Sequence, residues 1–175
     1  MKKVLGDFYL IIDRASEGAW NMAADEILMD MAISAEAPAV LRLYAWQPAC
    51  LSLGQGQKLA DIDLEAVQRN GWQVVRRPTG GKAILHTDEL TYSLTAHEDH
   101  WLMKDGILAS YQRISKVLLT FLHLLNIPGV SQTPDDSIPS HVAGPVCFEV
   151  PSSYEITVNG KKVVGSAQAR RNRAV

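Results

Sequence analysis

The chain has 175 residues, 47% of them hydrophobic and 21% charged, with a formal net charge of −2. That is enough chain for one domain with a real core, spanning 1–175. It lacks the basic excess that would draw nucleic acid or an anionic membrane surface, so neither is expected as a partner.

No apolar run nears the ~20 residues of a membrane span. The first seven residues hold two lysines but no long apolar stretch before a small-residue cleavage site, so no secretory leader is expected. Cys50 and Cys147 are too far apart for a CxxC motif, and two cysteines do not make a disulfide scaffold. A reducing cytoplasm is the default location, where each thiol is either a small core residue or a reactive group.

The apolar run 8–12 predicts a strand. Residues 18–33 predict a helix, with Trp20, Ala24, Ile27, Leu28 and Met31 at helical spacing on the inward face and Asp25, Glu26 and Asp30 mostly on the other. Alternation over 40–46 predicts a strand broken by Gln47-Pro48. A short strand at 50–53 runs into Gly54-Gln55-Gly56-Gln57, where GxG by itself reads as a turn. Residues 61–70 predict a helix with Leu64 and Val67 inward, stopped by Asn70-Gly71. Strands follow at 72–75, 83–85 and 89–96. The longest predicted helix is 105–126, with a stripe at Ile107, Tyr111, Ile114, Leu118, Phe121, Leu122 and Leu125. The proline-rich stretch 131–145 reads as a long irregular loop, and strands at 154–158 and 162–167 flank the hairpin signal Asn159-Gly160. Several strands are joined by loops too short for parallel crossovers. The expected fold is therefore α+β, a mixed, largely antiparallel sheet flanked by helices.

One stretch departs from a generic domain: Arg76-Arg77-Pro78-Thr79-Gly80-Gly81-Lys82-Ala83-Ile84-Leu85-His86. Paired glycines let backbone N–H groups approach a ligand. Successive N–H groups in such a turn form an anion-binding nest, and neighbouring arginines add charged donors. A tight hairpin with solvated arginines is the competing reading. His97 and His100, with Glu98 and Asp99, resemble a metal cluster only superficially and read as a solvated charged loop; no metal site is expected. Cys50 reads as core, and His123 as a surface or partly buried helix residue.

Four segments stand in one order: Asn21-Met22-Ala23-Ala24-Asp25-Glu26; the stretch from Arg76 to His86; Thr91-Tyr92-Ser93; and Cys147-Phe148 with Pro151-Ser152-Ser153-Tyr154-Glu155 and Lys161-Lys162-Val163-Val164-Gly165-Ser166-Ala167-Gln168. Together they resemble the lipoate–protein ligase A and octanoyltransferase superfamily, which includes biotin protein ligases. Within it, the Cys-Phe and Pro-Ser-x-Tyr-Glu pieces look most like the LipM-type octanoyltransferases. The resemblance implies transfer of an octanoyl group from acyl carrier protein to a lysine on a lipoyl domain, of a 2-oxoacid dehydrogenase E2 subunit or of the glycine cleavage H protein. It implies Cys147 as the acyl-carrying nucleophile and Lys162 as its essential companion. For substrate binding it points to Arg76, Arg77, Thr79, Gly80, Gly81 and His86, with Gly165, Ser166 and Ala167. The transferase needs no cofactor; a ligase relative would use ATP and Mg through an acyl adenylate. A non-catalytic fragment that holds an acyl group or a lipoyl domain is the third reading. Family members run well past the Gly-Ser-Ala-Gln segment, so the chain looks truncated at its C-terminus, and full activity is expected to need the missing segment or a partner.

A thiol at its ordinary pKa of about 8.5 is only a few per cent thiolate at pH 7. A nearby ammonium favours the thiolate. Lys162 follows Cys147 closely enough to reach it, whereas Lys161 should face the other side of its strand.

Overall fold

The computed structural model describes residues 2–5, 8–131 and 156–175. Its first sheet has the order β1 (Lys2–Leu5), β2 (Phe8–Ile12), β3 (Ala39–Tyr44), β7 (Thr91–Thr95). A second contains β5 (Gln73–Arg76), β4 (Cys50–Leu53) and β6 (Ile84–His86); a third contains β10 (Lys161–Val164), β9 (Ile156–Val158) and β8 (Val130–Ser131). Among the described strands only β2–β3 and β4–β5 pair in parallel; the other pairs are antiparallel. The fold is α+β with mixed, mainly antiparallel pairing, as expected, although the described strands form three sheets rather than one. Helices α1 (Gly18–Met31), α2 (Leu64–Arg69) and α3 (Gly106–Leu124) complete it. None of the described helices is long and apolar enough to cross a membrane.

Local chemistry explains several boundaries. Asp63 caps α2, its Oδ1 accepting from the Ala66 N–H at 2.9 Å. The β9–β10 hairpin turns on Asn159 and Gly160, at φ 50° and 75°, a left-handed pair that this dipeptide tolerates. The pattern does not predict β1 or β8; both are short and gain their place by pairing with β2 and β9.

Helix α1 is rotated from the predicted orientation. Trp20, Ile27 and Met31 are 65%, 61% and 57% exposed, while Gly18, Asn21 and Met29 are buried. Asp25, expected on the outer face, points inward. The cause lies on the strand opposite. Arg42 in β3 is 1% exposed and donates from Nε to Asp13 at 2.7 Å and from Nη1 to Asp25 at 2.8 Å. Its Nη2 reaches Asn21 Oδ1 at 2.9 Å, and Nη1 the Asn21 carbonyl at 3.2 Å. Tyr44 and Ser93 hydroxyls donate to the two Asp25 oxygens at 2.8 and 2.7 Å. A buried guanidinium left unpaired is far costlier than an exposed tryptophan. The helix therefore turns its Asn21 and Asp25, four residues apart on one face, toward Arg42. Burial tends to lower the Arg42 pKa, but the bonds to Asp13 and Asp25 outweigh it and raise it further.

Gly18 starts α1 against the second sheet. A Cβ there would stand 2.4 Å from Cys50 Sγ. Cys50 is fully buried with Tyr44 and Trp46, as the sequence suggested. Burial pushes its thiol up to about 11. Native protein at pH 8 should therefore leave Cys50 unalkylated by iodoacetamide, and unfolding in urea should expose it; ready native labelling of Cys50 in a peptide map would contradict this.

The predicted stripe on α3 is met in part. Leu122 is buried and Ile114 packs against the core, but Ile107, Phe121 and Leu125 are exposed, and Ser110 and Ser115 lie inside. Ser110 is drawn in by polar contacts, to Gln168 at 3.0 Å and to Arg170 at 3.2 Å. Those residues belong to the chain's last segment, which folds back along β7's end: Ala96 and Val175 exchange both backbone hydrogen bonds at 3.0 Å.

Candidate functional site

The loop that joins β5 to β6 is held from beneath by its own arginines. Arg77 is only 8% exposed. Its Nη1 donates to the Ser52 carbonyl at 2.8 Å, and its Nη2 to the carbonyls of Gly80 and Lys82 at 2.8 and 2.7 Å. Its Nε reaches Thr79 Oγ1 at 3.1 Å. The Arg76 Nη1 donates to the carbonyls of Gly54, Gln55 and Gln57, which ties the 54–57 loop to the same floor. Neither arginine is a loosely solvated hairpin charge. Arg77 holds the carbonyls of the β5–β6 loop, and Arg76 those of the 54–57 loop.

That arrangement fixes the direction of the amides. The Thr79 carbonyl accepts from Gln55 N–H at 2.9 Å. The Gly80 carbonyl faces Arg77, and the Gly81 carbonyl lies against Gly54, where a Cβ would come within 1.9 Å of it. In a trans peptide the N–H points opposite to the C=O. Each N–H here points away from the partner of the preceding carbonyl, the Gly80 N–H away from Gln55 and the Gly81 N–H away from Arg77. Gly81 stands at φ 94°, in the left-handed region that glycine tolerates. Gly80 and Gly81 are exposed. An oxyanion or a phosphate oxygen would meet such donors there.

His86 closes the loop's far end and is buried. Its ring stacks on Trp46 with centroids 4.1 Å apart and planes 11° from parallel. Its Nδ1 meets Glu89 in a short contact, and its Nε2 lies 2.7 Å from Ser52 Oγ. Burial would raise the Glu89 pKa, but the bonds from His86 and Thr91 outweigh burial and hold it below the usual carboxylate range. A depressed folded-state pKa contributes stability that is full above the unfolded carboxylate value of about 4.3 and is lost as pH falls through the folded value. Acid titration of the folded protein should therefore show a loss of stability below about pH 4 that Glu89→Gln diminishes, read by urea midpoints at stepped pH. Identical pH profiles for the two proteins would contradict it.

Lys162 sits in β10, half-buried, opposite Thr157, and Lys161 next to it is exposed, the alternation expected of a strand. Cys147 lies outside the described residues. Gly165, Ser166 and Ala167 follow β10 and are exposed, but the segment is anchored: Tyr92 Oη pairs closely with Ser166 Oγ, and Tyr111 Oη donates to the Ser166 carbonyl at 3.4 Å. Burial raises the pKa of both tyrosines, Tyr92 despite its bond to Ser166 and Tyr111 despite its bond to Gln168, so both are neutral at pH 7. The structure therefore brings the Gly-Ser-Ala-Gln segment beside β7.

The tripeptide Thr91-Tyr92-Ser93 joins three parts. Thr91 Oγ1 donates to Glu89 at 3.0 Å, Tyr92 holds Ser166, and Ser93 holds Asp25. The sequence marks this tripeptide, Asn21 and Asp25 as motif members without giving them a role, and it does not single out Ser52 or Glu89. Asn21 and Asp25 were findable as polar residues at i, i+4 in line with Gly18 and Met29. Ser52 and Glu89 carry no comparable signal. Among the described residues no group of three His, Cys, Asp or Glu is placed to hold a metal. Glu98 and Asp99 instead pair with Arg173 at 2.9 and 2.8 Å.

Comparison with solved structures gives the class first. The fold is that of the lipoate-protein ligase catalytic domains: a lipoate-protein ligase A bound with ATP superimposes with a TM-score of 0.71, over 94% of this chain and 62% of that one. At 22% identity that likeness concerns the fold alone. The sequence narrows it. The lipoyl protein ligase A/B catalytic domain family matches residues 17–175, and the chain belongs to that family. It is 46% identical to octanoyltransferase LipM of Moorella thermoacetica over 157 residues, and 46% identical to octanoyltransferase LipM of Carboxydothermus hydrogenoformans over 162. Those alignments take in 89% and 91% of this chain but 57% and 59% of the relatives, so the chain spans less than two thirds of their length.

Proposed function

We propose that this chain carries the transfer site of an octanoyltransferase acting through a Cys147 thioester, with an octanoyl-loaded acyl carrier protein as donor and a lysine of a lipoyl domain as acceptor. The observation that carries the reading is the 46% identity to octanoyltransferases LipM across nearly the whole chain. The Cys147 thiolate attacks the donor thioester carbonyl. The tetrahedral oxyanion collapses, the bond to the carrier's sulfur breaks, and that thiolate leaves and takes up a proton. A neutral lysine amine of the acceptor then attacks the Cys147 thioester, loses a proton as the amide forms, and releases the Cys147 thiolate. Lys162 is the cation that favours that thiolate and the group that passes protons to and from it. The N–H groups of Gly80 and Gly81 are the donors for the oxyanion. The donor is already an activated thioester, so this route uses no ATP.

A second reading, an ATP-dependent lipoate ligase, is favoured by the match to the lipoyl protein ligase A/B catalytic domain family. There the same N–H cradle would receive the phosphate of an acyl adenylate. Intact-protein mass spectrometry separates the two. Octanoyl carrier protein should add one octanoyl group to the wild type and none to Cys147→Ser, without nucleotide. Acylation that requires ATP and releases pyrophosphate from lipoate or octanoate would replace the transferase reading with the ligase one.

A further inference from the structure

Ser52, His86 and Glu89 form a hydroxyl–imidazole–carboxylate chain that the proposed transfer chemistry leaves unused. It has the connectivity of a nucleophile, base and orienting carboxylate. Yet Ser52 is 0% exposed, and Trp46 covers the imidazole face, so no acyl group reaches the hydroxyl. Its purpose follows from the proton directions.

Arg77 Nη1 can only donate, and it lies 3.2 Å from Ser52 Oγ. Ser52 therefore accepts from Arg77, and His86 Nε2, 2.7 Å away, is the acceptor that this cluster offers its own proton. With the Ser52 proton on that contact, Nε2 is bare and the ring proton sits on Nδ1, facing Glu89. The bond from His86 keeps Glu89 ionised against its burial. Thr91 donates to the same Glu89 oxygen at 3.0 Å, and Trp46 Nε1 donates to Thr91 Oγ1 at 2.8 Å. The set of directions that gives the Ser52 proton an acceptor within the cluster runs Arg77 to Ser52 to His86 to Glu89, met by Trp46 to Thr91 to Glu89.

We propose that Ser52 and His86 are positioning residues, whose neutral, Nδ1-protonated relay from Glu89 locks the Arg77 guanidinium and through it the Gly80–Gly81 peptide, so that the Gly81 N–H stays aimed at the acyl oxyanion. The catalytic part of this rests on the acyl-transfer reading. The link is physical at each step: Arg77 donates to both the Ser52 hydroxyl and the Gly80 carbonyl, and the Gly80 carbonyl sets the direction of the Gly81 N–H. A guanidinium is a rigid planar fork, so a shift at one donor moves the others.

Two measurements test it, one independent of turnover. In the wild type, nitrogen-15 spectra of the His86 ring should show Nδ1 protonated and Nε2 bare at pH 7.5. The opposite tautomer, or an imidazolium, overturns the proposal. The backbone amide resonance of Gly81 should move in Ser52→Ala and stay near its place in Glu89→Gln, whose amide oxygen still accepts from Nδ1–H; an unmoved Gly81 signal in Ser52→Ala also overturns it. Single-turnover octanoylation of Cys147 should then slow on the order of 10- to 100-fold in Ser52→Ala and His86→Ala, the scale set by small misplacements of a reacting geometry. Glu89→Gln should stay within about threefold of the wild type on the same argument. Wild-type rates in Ser52→Ala defeat the positioning role. If the wild type itself is not octanoylated, the transferase reading fails, while the tautomer and the Gly81 signal still decide whether the relay exists.

Discussion

Arg42→Met should lower the stability of the folded protein by about 3–5 kcal/mol, measured as a shift in urea midpoint at constant slope. The methionine fills most of the volume, so the loss is electrostatic rather than a cavity. What remains is Asp25 with its carboxylate 13% exposed and its cation gone, and an Asn21 Oδ1 that has lost the Nη2 donor. Against a typical total of about 5–15 kcal/mol, that is a decisive share. Replacing only Ser93 by alanine removes one neutral-to-charged hydrogen bond while Arg42 and Tyr44 still hold Asp25, and about 1.5–3 kcal/mol is the ceiling for that loss. An Arg42→Met protein as stable as the wild type would mean that α1 can turn and bury its outer apolar face instead, a rearrangement that the fluorescence of Trp20 would register.

The second large effect concerns the floor of the site. Gly54→Ala would put a Cβ 1.9 Å from the Gly81 carbonyl oxygen and 2.8 Å from its carbon. Backbone has to move there, because nothing at that contact is a flexible side chain. Overpacking of this kind costs about 1–3 kcal/mol in stability. The larger consequence is for the loop, whose Gly81 peptide would be pushed from the direction that its carbonyl contact sets. On the proposed mechanism, octanoylation of Cys147 should fall by about 10²-fold. Gly56→Ala in the same loop is the matched control: its Cβ meets nothing within 4 Å, so activity and stability should stay near wild type. Equal activity in the two variants would separate the 54–57 loop from catalysis.

Much of the framework was readable from residue pattern. The strands at Phe8–Ile12 and Cys50–Leu53 lie on the apolar runs that predict them, and Asn159-Gly160 turns the hairpin as that dipeptide should. The two long helices were found to within a few residues, but the facing of α1 was not, and that of α3 only in part. Hydrophobic periodicity assumes that the apolar stripe goes inward. In α1 a buried arginine on a neighbouring strand reverses that rule, and in α3 a serine bonded to Gln168 does so. Such tertiary polar pairings leave no local trace. The site was legible as a motif and not as a mechanism. The pattern at Arg76 and Arg77 points to charges offered to a ligand, and carries no sign of the carbonyls that both also hold. The role of Cys147 comes from resemblance, and it lies outside the described residues.

The bond pair between Ala96 and Val175 acts as a clasp on the polypeptide. It closes a loop of about eighty residues containing α3, the β9–β10 hairpin and Lys162, and the entropy of closing a loop grows only as the logarithm of its length. Such a clasp can give way without the sheet that carries Arg42 coming apart. Glu98 and Arg173 add a further bond, 2.7 Å from amide to carbonyl, so the clasp is three backbone links deep. In native-state hydrogen exchange the amides of Ala96, Glu98 and Val175 should then share one opening free energy, below that of Leu41 and Leu43 in β3. The segment bearing Lys162 and the floor bearing Gly81 belong, on this view, to units of different opening energy, and the reaction would depend on their being latched together.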